Sequence, residues 1–136
     1  MQFRAFIAIA MAVMVGGCAS SPTTTCNPGE ERAVQDTLYF GTAKPNGGVV
    51  ANDEWTEFLE IVVTPRFPQG LTVVQASGQW RGADGSIVRE STRILQLVHP
   101  DDALSEKAAI EIAADYKSRF QQEAVLRVKT AACASF

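Results

Sequence analysis

The residues Thr37, Leu38, Tyr39 and Phe40 form a short β-forming run closed by Pro45, Asn46, Gly47 and Gly48, which predicts a strand over Thr37–Ala43 ended by a turn. A helix follows. Trp55, Phe58, Leu59 and Val62 recur at helical spacing after Asn52, Asp53 and Glu54, so Asn52 or Asp53 is expected to cap it and Pro65 and Pro68 to stop it. From Leu71 to Arg81 the apolar positions Val74, Ala76 and Trp80 alternate with Gln75, Ser77 and Gln79, the mark of a half-buried strand. Gly82, Ala83, Asp84 and Gly85 then reverse the chain into a partner strand, Ile87 to Val98. In that strand Arg89, Ser91 and Arg93 share a phase with Leu95 and Leu97, so a bulge or a change of burial is expected near Arg93. Pro100, Asp101 and Asp102 introduce a second helix with Ala109, Ile112, Tyr116 and Phe120 on one face, and Ala124–Lys129 is the last strand.

The resulting order, β-α-β-β-α-β, predicts an α+β fold, a ferredoxin-like βαββαβ sandwich with one antiparallel four-stranded sheet and two helices on one face. In that arrangement the last strand lies beside the first. The start of the one is then next to the end of the other.

Before the domain, Arg4 precedes an unbroken apolar run, Phe6 to Val15, which has the form of an export signal. It is shorter than the ~20 apolar residues that span a bilayer. The run ends in Val15, Gly16, Gly17 and Cys18, which resembles a bacterial lipobox and predicts removal of residues 1–17 with lipid attached to Cys18. The alternative is plain secretion with Cys18 as a thiol. Several acyl chains hold a protein firmly, so lipidation implies a partner in the membrane through the N-terminal lipid. Ala19 is not the aspartate of inner-membrane retention, which points to the outer membrane, facing the periplasm, in a Gram-negative host. Residues 18–33, rich in Ser, Thr and Pro at their start, read as lipidated cysteine and polar tether. Residues 34–136 are left as one α+β domain.

Charge narrows the partners. The chain carries a formal net charge of −3, and residues 1–17 hold only one charged residue, Arg4. A mildly acidic exported domain is not a nucleic-acid binder. Apart from Cys18 there are two cysteines, Cys26 and Cys133, and an even pair in an oxidising envelope predicts a disulfide ahead of a metal site or a nucleophile. The predicted topology brings their flanking strands together, in agreement. With His99 the only histidine, no metal site is expected, and no motif points to a cofactor.

Five separated stretches, LYFGTAKPNGG (Leu38 to Gly48), EW..FL (Glu54 to Leu59), VTPRFPQGLTV (Val63 to Val73), GQWRGADGSIVRE (Gly78 to Glu90) and YKSRFQQEAVLRV (Tyr116 to Val128), resemble a bacterial domain-of-unknown-function family, number 3574. The resemblance implies a small secreted or lipid-anchored envelope protein. It supplies no catalytic residues.

Candidate chemistry is sparse. His99 titrates in the range useful for acid–base work, yet before Pro100 it is expected to bond backbone. Asp101 and Asp102 read as helix-start residues, and the Gly47-Gly48 pair lacks the spacing of a phosphate loop. Trp55, Tyr116 and Phe120 are expected in the core. Trp80, with Arg81 beside it near the hairpin tip, either packs under the turn or faces a ligand. Arg66 either bonds helix-end carbonyls or binds an anion. The polar set Gln75, Ser77, Gln79, Arg89, Ser91, Arg93, Arg127 and Lys129 is expected to project from the sheet face away from the helices, as a solvated face or as a working surface.

Two functional readings follow. The first is a noncatalytic binding or assembly module of the envelope, meeting an envelope protein, a second copy as a homodimer, or a small ligand. The alternative is a small enzyme resembling the dimeric α+β barrel group, with a pocket assembled from His99, Arg89 and Glu90.

Overall fold

The structure is a computed structural model and describes residues 25–135. The expected signal, Cys18 and most of the tether lie outside the described residues. Four strands, β1 (Glu31–Gly41), β2 (Thr72–Arg81), β3 (Ile87–His99) and β4 (Leu126–Ala134), and two helices, α1 (Asn52–Phe58) and α2 (Ala103–Phe120), occur in the order β1-α1-β2-β3-α2-β4. The strands form one sheet in the order β2-β3-β1-β4, and every neighbouring pair is antiparallel. This is the ferredoxin-like α+β arrangement the sequence predicts.

Strand β1 starts earlier than expected, because pairing from Glu31↔Ala134 to Tyr39↔Leu126 ties its polar first half to β4. Part of the expected tether therefore belongs to the sheet. Cys26 and Cys133 form a disulfide with Cα atoms 5.5 Å apart, and Cys133 itself pairs with Arg32. The bridge clips the chain just before β1 to the strand that lies beside it.

Register runs unbroken from Thr72↔Gln96 to Arg81↔Ile87, so there is no bulge at Arg93. What changes there is burial: Arg93, Leu95, Leu97 and His99 are buried, while Ser91 and Arg89, in the same phase, are exposed. The helix layer stops at Arg93. The far half of the β2–β3 hairpin projects beyond it as an uncovered arm, turned by Gly85 at φ 83°, a left-handed conformation that glycine adopts without strain.

The core lies between sheet and helices. Leu38, Phe40, Leu95 and Leu97 meet Trp55, Phe58, Ile112, Tyr116 and Phe120. Tyr116 sits edge-on to Phe40, with ring centroids 4.5 Å apart, and 4.7 Å from Phe120. Burial holds its phenol well above the usual range, and the hydroxyl donates to the Gly41 carbonyl at 2.9 Å. The three aromatic residues expected in the core are all there.

After Phe58 the helix widens into a π turn, Leu59–Val63, closed by Thr64 N donating to the Leu59 carbonyl at 2.8 Å. The extra residue moves the buried position from Val62 to Val63. The cap also differs from expectation. Ala51 occupies that position, its N–H bonds Glu54, and Asn52 turns its side chain to Arg93 instead. At α2 the expectation holds, since Asp102 accepts from Ser105 N at 2.8 Å.

Candidate functional site

Alternation along the strands fixes two sheet faces, and their assignment reverses the expected one. In β1 the residues Val34, Asp36, Leu38 and Phe40 are buried under the helices. Register then places Arg93 opposite Phe40, Gln75 opposite Arg93, Ser77 opposite Ser91, Gln79 opposite Arg89, and Arg127 opposite Leu38. Directly paired residues point to the same side, so the whole polar set lies on the helix side. The face away from the helices carries Tyr39, Val74, Ala76, Trp80, Val88, Ile94, Leu126 and Val128. A half-buried strand shows its alternation in the sequence, but the alternation does not say which half faces the helices. The helix layer is too short to cover the hairpin arm, which leaves Gln75, Ser77, Gln79 and Arg89 exposed on the inner side.

Arg127 is not a surface residue of the open face. Its Nε donates to Asp36 Oδ1 at 2.9 Å and its Nη1 to Glu106 Oε1 at 2.7 Å, and Lys129 donates to Glu106 at 2.8 Å. These donors, Arg127 first, hold the Glu106 carboxyl down at about 2. The same Asp36 meets His99 Nε2 at 3.0 Å, and Nδ1 of that ring meets the Pro100 carbonyl at 2.8 Å. With both nitrogens engaged and Phe67 5.3 Å away, His99 is a buried joint between β1, β3 and the start of α2. Asp36 was missed in the sequence, although its phase with Val34, Leu38 and Phe40 marks it as a carboxylate inside the apolar half of a strand. Such a group needs a partner.

Arg66 takes the structural role. Its Nη1 donates to the Val62 carbonyl at 2.8 Å and its Nη2 to Asp115 at 2.9 Å, which ties the end of the first helical segment to α2.

On the open face the Trp80 indole N–H donates to Glu90 Oε1 at 3.1 Å, and Ala43 N–H donates to Oε2 of the same carboxylate at 2.9 Å. Glu90 lies flat across Gly41, where a Cβ would stand 2.6 Å from its Oε1. Trp80, Glu90, Tyr39, Ile94 and Leu126 line a groove of about 620 Å³. This size suits a small ligand, and the one carboxylate in the middle of its strand lining is already bonded to the protein.

The residues expected to build an enzyme pocket do not converge. Arg89 and Glu90 are sequence neighbours on a strand and point to opposite faces. His99 lies nine positions further along β3, roughly 30 Å from Glu90 at ~3.3 Å per residue. Arg81 is exposed at the end of β2. Among the described residues no three His, Cys, Asp or Glu side chains are grouped to hold a metal ion, and no helix is long and apolar enough to cross a membrane.

Solved structures of similar shape include a phage SAM lyase in complex with S-methyl-5'-thioadenosine, with a TM-score of 0.61, 10% identity, and coverage of 85% of this chain and 97% of that one. CutA from Synechococcus elongatus has a TM-score of 0.51 at 8% identity over 76% of this chain and 80% of that one. At such identities the likeness is one of fold alone. No curated protein matches the chain in sequence. A family model does match residues 35–136, and the chain belongs to that family, described as protein of unknown function (DUF3574).

Proposed function

We propose that the chain is a lipid-anchored protein of the bacterial cell envelope whose domain is a noncatalytic assembly module, pairing with a second copy through the uncovered sheet face. The anchoring half of this reading rests on the sequence before Cys18. The pairing half rests on one observation: the open face is largely apolar, its polar positions such as Thr37, Thr92 and Gln96 are neutral, and it is almost free of charge. Its strand positions carry only Glu31, at the far end, and Glu90, and the Glu90 carboxylate is bonded to Ala43 N and Trp80 Nε1. Large exposed apolar patches mark association surfaces. Two such faces pack at ~10 Å, and the one carboxylate in the middle of each, Glu90, already accepts two hydrogen bonds from its own chain. A face that meets itself gives a closed twofold dimer.

The groove beside Trp80 favours a second reading, the small enzyme of dimeric α+β barrel type, because sheet-to-sheet closure would enclose it. The first reading is preferred, since Glu90 is already committed to holding Trp80.

Sedimentation velocity and native mass spectrometry of the exported chain test the pairing. Wild type is expected to be a dimer at about micromolar concentration, the range of ordinary specific association. Val74→Lys with Leu126→Lys, at positions 44% and 60% exposed, is expected to be a monomer with stability within about 1 kcal/mol of wild type. A wild-type monomer at all accessible concentrations defeats the pairing. For the anchor, wild type should take up labelled palmitate and Cys18→Ser should not; an unlabelled wild type defeats it.

A further inference from the structure

Where the helix layer stops, residues 49–51, the first residue of α1 and the hairpin arm line an open cavity of about 730 Å³. Arg93 lines it and is only 8% exposed. Among the described residues Arg32, Arg81, Arg89 and Lys117 also lack an ion pair, but they are exposed to water, and the remaining basic residues, Arg93 apart, are paired. Lys44, Arg66, Lys107, Arg119, Arg127 and Lys129 each lie within ion-pair distance of a carboxylate. Arg93, the most buried of the lysines and arginines, has no such partner among the described residues. Its Nη2 donates to Asn52 Oδ1 at 2.6 Å, and its Nε is buried with no acceptor. The guanidinium carbon lies 5.4 Å from the Trp55 ring centroid, so the group is held in place against the core.

A buried cation without a counter-charge is costly, and a ligand anion removes that cost. The rest of the lining fits one. Thr42, Gln75, Ser77 and Ser91 are neutral hydrogen-bonding residues, and among the described residues no acidic one lines the cavity. A single guanidinium among neutral groups matches a monoanion, whereas a phosphate dianion calls for a second cation.

We propose that this cavity binds a small organic carboxylate, its charge on Arg93 and its polar body against Gln75, Ser77 and Ser91. The site is on the opposite side of the sheet from the assembly face. It stands independently of the pairing proposed above.

The test is a titration of the isotopically labelled exported chain with acetate, benzoate and lactate, with inorganic phosphate as the comparison, following the Arg93 Nε–H resonance. Saturable shifts are expected with at least one carboxylate, and binding of phosphate about tenfold weaker or more. Arg93→Gln should lose affinity by about tenfold or more. Asn52→Asp is the decisive variant, because it sets a carboxylate of the protein against Arg93. It should abolish binding with the melting temperature maintained or raised, so that loss of binding is separated from loss of fold. The proposal is overturned if wild type shows no saturable shift up to about 50 mM of any of the three acids, a limit well beyond weak specific binding. Tighter binding of phosphate than of carboxylates, or unchanged binding by a folded Asn52→Asp, overturns it equally.

Discussion

Arg127 reaches from β4 to Asp36 on β1, with Nε donating to Oδ1 at 2.9 Å, and the carboxylate that receives it has no exposed surface. Reversing this charge would leave buried Asp36 facing a second carboxylate beside Glu106. Arg127→Glu is therefore expected to cost about 3 to 5 kcal/mol, as for breaking a buried pair. Arg89→Glu, on the exposed arm, should stay within about 0.5 kcal/mol. Urea denaturation of the two single variants measures the contrast, and equal stabilities would show that the Asp36 pair is not structural.

Acid should loosen the same region. The Glu106 carboxyl falls from 4.5 to about 2 in the folded chain, chiefly through hydrogen bonds from Arg127 and then Lys129. A folded value below the unfolded one means that the fold favours the charged form. Its contribution is thus complete above about pH 4.5 and lost as pH falls toward 2. Urea midpoints should drop more steeply across that window for wild type than for Glu106→Gln, and the two should converge near its acid end. Parallel curves would refute the assignment.

The bridge between Cys26 and Cys133 spans 107 residues of sequence. Loop entropy alone assigns such a link roughly 4 to 5 kcal/mol, a large fraction of the stability of a small domain. Denaturation of the double serine variant, compared with oxidised wild type, reads this directly. Two freely alkylated thiols in the native exported protein would show that the bridge does not form there.

Gly41 sits beneath Glu90, and a methyl group there would stand 2.6 Å from the carboxylate. Gly41→Ala should push Glu90 off the sheet, break its bonds to Ala43 and Trp80, and cost about 1 to 3 kcal/mol. The indole N–H resonance of Trp80 is the reporter, with that of buried Trp55 as an internal control. A folded variant whose Trp80 resonance is unmoved would falsify the role given to Gly41.

Element order was legible in the chain because it depends on periodicity and turn chemistry within short windows. Val74, Ala76 and Trp80 alternate with polar neighbours whatever lies above them, and Asp84-Gly85 turns the chain locally. Asp102 caps α2 through a bond spanning three residues. The cysteine pair was legible for the same reason, since strand order alone sets its two ends side by side. Three features were decided only by tertiary structure. The π turn after Phe58 shifts the buried position by one residue, because packing, not local spacing, selects Val63 over Val62. The face assignment depends on how far the helices reach, and no strand pattern encodes the length of a neighbouring layer. They cover Leu95 and Leu97 but not Ser91 or Arg89, so polar residues on the inner side remain wet while Trp80 and Leu126 stand uncovered outside. Arg93 falls at that boundary. Its burial, its bond to Asn52 and its missing counter-charge arise from residues 41 positions apart in the chain, brought together only when β3 packs against the start of α1.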